Sequence, residues 1–201
     1  MHQTYHEHLA DEHKMSPIGQ YLKETVYGGL DGIVTTFAVV AGFAGAHMSS
    51  STLEFGGIAV ILFGLANLFA DATSMGLGSF LSIRAEQDLY KKHRAKEEKE
   101  IIENTAFERQ ETIEILIDRG VNAEDAVLFA DLYEKNPQFW ADFMMDYELE
   151  IPDTRGDNPM LNGLVTFASF IFFGAIPLIP YFFGNPTDKT FYISLAATYF
   201  A

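Results

Sequence analysis

Three long apolar segments dominate the pattern of hydrophobic and polar positions along this chain. They cover residues 25–48, 53–83 and 160–183, and a fourth apolar stretch begins at Phe191. A helix rises about 1.5 Å per residue, so the first segment reaches about 36 Å, enough to cross a bilayer core of about 30 Å. The pattern therefore predicts three membrane-spanning helices. The residues after Phe191 are too few for another span, which predicts a chain truncated in its fourth span.

A charged, amphipathic block separates the second and third apolar segments. Its hydrophobic period is helical and predicts one helix over about 95–119, a second capped by Asn122 and a third opened by Pro137. The predicted fold is an all-α integral membrane protein, a helical transmembrane bundle with a helical insert between its second and third spans. The expected parts are a polar lead-in (1–24), the first two helices (25–83), the insert (84–157), and the third helix with the start of a fourth (158–201).

Net charge and composition limit the kinds of partner that this chain can bind. The net charge of −15 excludes nucleic acid, whose phosphates need a basic surface. All Lys and Arg except Lys189 lie before the first span or between the second and third. The positive-inside rule then predicts that the N-terminus and the insert are cytoplasmic in a multi-pass protein surrounded by lipid. The absence of cysteine excludes disulfides and thiolate metal sites.

Acidic residues inside the apolar segments are the first candidate chemistry. Asp31 is the only charged residue of the first segment, and an acid in hydrocarbon is costly enough to indicate a functional site. Gly28 and Gly32 flank it and predict a close approach by another helix, with a second copy of the chain as one option. One face of the second segment carries three residues spaced four apart: Asn67, Asp71 and Met75.

A stripe of glutamates marks the insert. On one continuous helix, four of them fall within an arc of about 80°: Glu100, Glu103, Glu111 and Glu114. The first two have a lysine four residues earlier, as on an ordinary solvated face, whereas Glu111 and Glu114 have no cation three or four residues away. Like charges at this spacing repel unless a cation lies between them, which favours a metal site.

Sulfur and imidazole ligands extend this hypothesis. The third insert helix carries two thioethers near a carboxylate: Met144, Met145 and Glu148. Core packing is the alternative role for such methionines. Carboxylates with thioethers suit a transition metal better than Ca²⁺ or Mg²⁺. The lead-in holds four histidines among acids, as a second metal site or as a solvated terminus: His2, His6, His8 and His13.

Three stretches carry a resemblance to a known family. They are YGGLDGIVTTFAVVAGFAGA, ADATSMGLGSFLSIRAEQDLY and NPMLNGLVTFASFIFFGAIPLIPY, and from about Tyr21 onward the chain resembles the vacuolar iron transporters. The resemblance implies five membrane helices, a cytoplasmic three-helix metal-binding domain and a homodimer. It implies proton-coupled export of Fe²⁺ or Mn²⁺ from the cytosol, without enzymatic activity or a prosthetic group. The membrane is then the cell membrane in a prokaryote or the vacuolar membrane in a eukaryote.

The resemblance also assigns residues. Asp31 and Met75 match the family's intramembrane metal ligands, and Glu24 matches an acid near the cytosolic mouth. The cytosolic metal ligands correspond to Glu100, Glu103, Glu111, Glu114, Met144, Met145 and Glu148. Some members carry a glutamate where this chain has Asn67, and here Asp71 follows one turn later. Asp71 is therefore expected to act as a proton or metal carrier, since a desolvated carboxylate titrates nearer neutral pH.

Two other functions fit parts of the pattern. A ferritin-like iron store or di-iron oxidase needs Glu-x-x-His pairs on facing helices, and the only histidine of the insert, His93, follows Tyr90 at that spacing. A membrane-anchored metal sensor leaves Asp31 and Asp71 inside the membrane without a role. Transport therefore explains more of the sequence than either alternative.

Overall fold

The computed structural model describes residues 17–49, 57–183 and 187–201, and every regular element within them is helical. This confirms the all-α prediction. The helices are α1 (Pro17–Gln20), α2 (Leu22–Ser49), α3 (Gly57–Glu103), α4 (Thr105–Asp118), α5 (Ala123–Glu134), α6 (Pro137–Tyr147), α7 (Pro159–Gly174), α8 (Ile179–Phe183) and α9 (Asp188–Phe200), with a 3₁₀ turn at Ile176–Leu178.

Three segments are long and apolar enough to cross a membrane: Leu22–Ala46, Gly57–Glu103 and Pro159–Phe183. The third is interrupted, because α7 gives way to the 3₁₀ turn at Pro177 before α8 begins. A proline cannot continue the helical hydrogen-bond ladder, so a carbonyl near it needs another donor in lipid. Ser194 Oγ of α9 donates to Pro177 O at 2.7 Å and so ties α9 to this interruption.

The chain divides into two compact units. We call residues 1–81 with 158–201 the membrane unit, and residues 82–157 the insert unit. Helix α3 contributes its first part to the membrane unit and its last part to the insert unit. The four histidines of the lead-in, left as a metal site or a solvated terminus, lie outside the described residues.

In the membrane unit, α2 packs along α7 over most of its length. A Cβ built on Gly28 would lie 2.6 Å from Thr166 O, and one built on Gly32 would lie 2.5 Å from Phe170 O. Hydrogen in place of a side chain is what lets the two backbones approach. The close contact predicted beside Asp31 is thus made with α7 of the same chain, and the option of a second copy at these glycines is wrong.

Gly32→Ala is expected to destabilise the membrane unit by about 1–3 kcal/mol, because the added methyl meets α7 backbone that cannot move aside. Gly42→Ala is the matched control, since a Cβ at Gly42 would meet no atom of the described residues within 4 Å beyond its own turn of helix. Thermal unfolding of both variants in the same detergent measures the difference. Equal melting temperatures would show that α2 and α7 do not pack this closely.

The insert unit is built around Trp140, which is fully buried. Apolar residues of the surrounding helices complete its core: Ile101, Ile113, Leu116, Ala126, Ala130 and Phe143. Two predicted helix starts are confirmed, because Asn122 Oδ1 accepts from Asp125 N at 2.9 Å and Pro137 opens α6. Helices α5 and α6 therefore begin at the residues that the sequence predicted.

The continuous helix predicted over 95–119 is wrong. Helix α3 ends at Glu103, and α4 begins at Thr105 after Asn104, whose φ of −130° and ψ of 34° lie outside the helical region. Asn and Thr are both weak helix formers, so a break costs little here. The break allows Ile101 before it and Ile113 after it to enter the same core.

Candidate metal site

Three carboxylates meet in the insert unit. Glu97 of α3, Glu108 of α4 and Glu148 at the end of α6 each offer an oxygen within 4.8 Å of the others. We call these three residues the carboxylate cluster. Glu97 and Glu108 are buried, with 1% and 4% of their surfaces exposed, and Glu148 is exposed. Within the described residues, no other group of three or more acidic or histidine ligands is close enough to share an ion.

The helix break creates this cluster. Eleven residues separate Glu97 from Glu108, which on a straight helix is about 16 Å along the axis. The two positions share a face on such a helix, but their carboxylates cannot meet. The change of direction at Asn104 removes that separation and brings Glu108 against Glu97.

Ion pairs position the third helix. Arg94, one turn before Glu97, donates from Nε to Asp142 Oδ1 at 2.8 Å and so ties α3 to α6. Arg155 Nη2 lies 3.3 Å from the same carboxylate oxygen. Asp142 lies six residues before Glu148, so this contact fixes the helix that carries the third carboxylate.

The cluster is electrostatically strained without a cation. Burial, followed by the charges of Glu97 and Glu111, raises the pKa of Glu108 to about 7. Although much of Glu148 is exposed, desolvation of its carboxyl and the same two neighbours raise its pKa to about 7, with Lys96 opposing the shift. The pKa of Glu97 is also raised by burial and by the neighbouring carboxylate of Glu100. Glu108 and Glu148 are therefore partly protonated near neutral pH, and a cation that binds them competes with these protons.

One oxygen of the cluster lacks any partner among the described residues. Glu108 Oε2 is buried and accepts no hydrogen bond. A buried acceptor in this condition costs free energy unless a water or ion satisfies it. With three convergent carboxylates, the donor set fits a divalent cation.

The predicted glutamate ligands separate into two groups. Glu100 and Glu111 border the cluster, and burial with the charge of Glu100 raises the pKa of Glu111. Glu100 also accepts from Lys96 Nζ at 2.8 Å. Glu103 is exposed and lies 3.7 Å from Lys99 Nζ, and exposed Glu114 accepts from Gln110 Nε2 at 2.8 Å. Both have the partners of an ordinary solvated face.

Sequence reasoning missed Glu97 and Glu108. A signal for them was present, because Glu97, Glu100, Glu108 and Glu111 form two pairs at i and i+3 that repeat after eleven residues. That repeat places all four near one face. The set predicted from the sequence has the same spacing but begins three residues later, so it includes Glu103 and Glu114.

The predicted methionines are in the interior of the insert unit. Met144 and Met145 are fully buried, and Met144 lies one turn before Glu148 on α6. Met144 Sδ is 3.5 Å from Thr112 Oγ1 of α4. One thioether is therefore on the helix turn that precedes a cluster carboxylate.

The predicted membrane residues are spread over α2 and α3. Asp31 is exposed, and Glu24 is half-buried in the first turn of α2. Asp71 accepts from Asn67 Nδ2 at 2.8 Å, so these two residues form one polar pair. Met75 is half-buried and packs on the apolar cluster around Leu68.

The fold and the carboxylate cluster together define a helical membrane protein with a site of the kind that takes divalent cations. The chain belongs to the VIT family, whose model matches residues 22–201. The resemblance seen in the sequence is thereby confirmed, and so is the prediction that the chain is not an enzyme.

The relatives carry transporter names. The chain is 38% identical over 175 residues to the "Vacuolar iron transporter" of Toxoplasma gondii, covering 85% of this chain and 56% of that protein. It is 32% identical to "Vacuolar iron transporter 1" of Arabidopsis thaliana, covering 89% of this chain and 68% of that protein. The Plasmodium berghei "Vacuolar iron transporter" is 35% identical, with 92% and 66% covered. The chain thus spans between about half and two thirds of the length of these relatives.

Proposed function

We propose that this protein moves Fe²⁺, and Mn²⁺ as a second substrate, out of the cytosol across a membrane in exchange for protons. The observation that carries the proposal is the carboxylate cluster with its unpaired Glu108 oxygen, in a chain whose relatives are named for iron transport. We propose Glu100, Glu111, Met144 and Met145 as further ligands of the ion. The exposed Glu103 and Glu114 are not part of this set.

The insert unit collects the ion on the cytoplasmic side. Glu108 and Glu148 have pKa values of about 7, so each is near half protonation at neutral pH. An arriving Fe²⁺ displaces these protons and relieves the repulsion among the three carboxylates. Binding and release therefore depend on pH within the physiological range. This is the behaviour that suits a temporary store ahead of a transport path.

A homodimer supplies the transport path. Asp31 lies on an exposed stripe of α2 with three large side chains: Tyr27, Leu30 and Val34. A lone carboxylate facing lipid is costly, whereas a second copy of this stripe would cover it and bring two carboxylates together. Met75 provides a thioether, and Asp71, oriented by the Asn67 amide, provides another carboxylate for the ion or the proton. Glu24, in the first turn of α2, stands at the entrance.

Metal flux into vesicles tests this function. Full-length protein in liposomes is expected to accumulate Fe²⁺ when a pH gradient is imposed, and to stop when a protonophore removes the gradient. Protein-free liposomes with the same gradient are the control. If Fe²⁺ binds the protein but no flux follows, the chain is a metal sensor or store and the transport proposal is wrong.

A further inference from the structure

Helices α4 and α6 of the insert unit contact each other one helical turn away from the carboxylate cluster. On α4, Glu108 and Thr112 are one turn apart, and on α6, Met144 and Glu148 are one turn apart. The carboxylates of Glu108 and Glu148 meet in the cluster, while Thr112 Oγ1 and Met144 Sδ meet at 3.5 Å. Thr112 of α4 therefore contacts the thioether that lies one turn before Glu148 on α6.

The Thr112 hydroxyl is held by three groups. Trp140 Nε1 donates to Thr112 Oγ1 at 2.7 Å, and the hydroxyl lies 2.8 Å from Glu108 O and 3.5 Å from Met144 Sδ. A hydroxyl has one proton and two lone pairs. With Trp140 occupying one lone pair, the single proton goes either to the Glu108 carbonyl or to the sulfur. Thr112, Trp140 and Met144 are all fully buried, so water does not compete for these bonds.

We propose that Thr112 is a positioning residue for the Met144 thioether, and this proposal rests on the proposed metal-collecting role of the insert unit. Methionine has three rotatable bonds and takes up many conformations, so an unanchored thioether must be ordered each time an ion binds. Donation from Thr112 to Sδ holds the sulfur on the turn of α6 that precedes Glu148. When an ion takes a sulfur lone pair, the hydroxyl proton turns to the Glu108 carbonyl and the position of Oγ1 is kept by Trp140.

This arrangement affects which ion is preferred. Thioether sulfur is a soft ligand, and Fe²⁺ stands above Mn²⁺ in affinity for such sites. Holding the sulfur in place therefore favours Fe²⁺ over Mn²⁺, whereas the three carboxylates alone discriminate less. Thr112 sets part of the selectivity without contacting the ion.

The test uses Thr112→Val and Thr112→Ser in the full chain. Trp140 is the only tryptophan, so its fluorescence in an anaerobic Fe²⁺ titration reports the insert unit alone. Thr112→Val is expected to weaken Fe²⁺ binding by about tenfold, as is usual when a group orienting a metal ligand is lost. Thr112→Ser keeps the hydroxyl and is expected to restore most of the affinity. The same titrations with Mn²⁺ are expected to show a smaller loss in the valine variant.

A double-mutant cycle separates positioning from a general loss of structure. If Thr112 acts through Met144, then Thr112→Val is expected to cause no further loss of Fe²⁺ affinity in a Met144→Leu background. Additive losses, or equal losses for Fe²⁺ and Mn²⁺, overturn the proposal. If Thr112→Val does not fold, Thr112→Ala takes its place in the cycle, with Trp140 fluorescence again reporting the affinity.

The two proposals fail in different ways. If the wild-type chain shows no saturable response to Fe²⁺, or if Glu108→Gln leaves that response unchanged, the metal-collecting role is wrong. If the wild type binds and Glu108→Gln weakens it, but the cycle is additive, only the role of Thr112 is wrong.

Discussion

Glu108→Gln is expected to weaken Fe²⁺ binding at the insert unit by at least about 100-fold while making the metal-free unit more stable. Glu108 is one of the three acids of the carboxylate cluster, and losing even an outer partner of a metal ligand typically costs about 10- to 100-fold in affinity. Without metal, the same carboxylate is buried near two other acids and has an unpaired oxygen. A neutral amide removes that repulsion, so binding and stability move in opposite directions.

The gain in stability depends on pH in a defined direction. The pKa of Glu108 rises from its ordinary 4.5 to about 7 on folding, mainly through burial. The folded state therefore binds more protons than the unfolded state between these values. The contribution of Glu108 to the stability of the metal-free unit is fully present below pH 4.5 and is lost as the pH rises through about 7. The substitution removes this loss for one group, about 2 kcal/mol at pH 8 after allowance for solvent screening.

Thermal unfolding followed by Trp140 fluorescence at pH 5 and pH 8, without metal, measures this effect. The wild type is expected to melt at a lower temperature at pH 8, and Glu108→Gln is expected to reduce that difference. Glu114→Gln is the matched control, because Glu114 is exposed and bonded to Gln110. An equal loss of Fe²⁺ affinity in the Glu114 variant would show that the ion is held by the outer glutamates instead.

The helices of this chain follow from its sequence because their signals are local. Apolar length identifies the membrane segments, Asn122 caps α5, and Pro137 opens α6. The break at Asn104 is less predictable, because Asn–Thr is a weak helix sequence that many long helices tolerate. The tertiary core decides it, since Ile101 and Ile113 are both buried only when the chain turns between them.

The same break explains why the candidate site is only half predictable. Lysines near Glu100 and the missing cations near Glu111 are visible in the sequence, but burial is not. Glu97 lies in a run of charged residues that is typical of a solvated face, yet Glu97 is buried, with only 1% of its surface exposed. Its role appears only when α4 and α6 are placed against α3.

Glycine patterns in the membrane unit show a related limit. Gly28 and Gly32 predict that some helix comes close to α2, and this is so. The pattern does not say which helix, because any backbone can use the space that a missing side chain leaves. Packing with α7 turns the glycines inward and leaves Asp31 on the exposed side of α2.

Asp31→Asn is expected to abolish Fe²⁺ flux into liposomes while leaving Fe²⁺ binding at the insert unit unchanged. Asp31 is the only charged side chain in the long apolar segment of α2, and Asn keeps its size while removing its charge and its ability to carry a proton. A dehydrated Fe²⁺ crossing this region loses the one carboxylate in the apolar segment of that helix. The insert unit lies in a separate compact part of the chain, so its carboxylate cluster keeps its geometry.

Parallel assays on one preparation distinguish a transport defect from a folding defect. Flux is measured under an imposed pH gradient, and binding is measured by the Trp140 response to Fe²⁺. Asp88→Asn, at an exposed position of α3 in the insert unit, is the matched control and is expected to retain flux. Flux that persists in Asp31→Asn excludes a path past this carboxylate and directs attention to the Asn67–Asp71 pair. If Asp31→Asn loses both the flux and the Trp140 response, the separation of collecting and transporting roles is contradicted. A substitution in the membrane unit would then have removed Fe²⁺ binding in the insert unit.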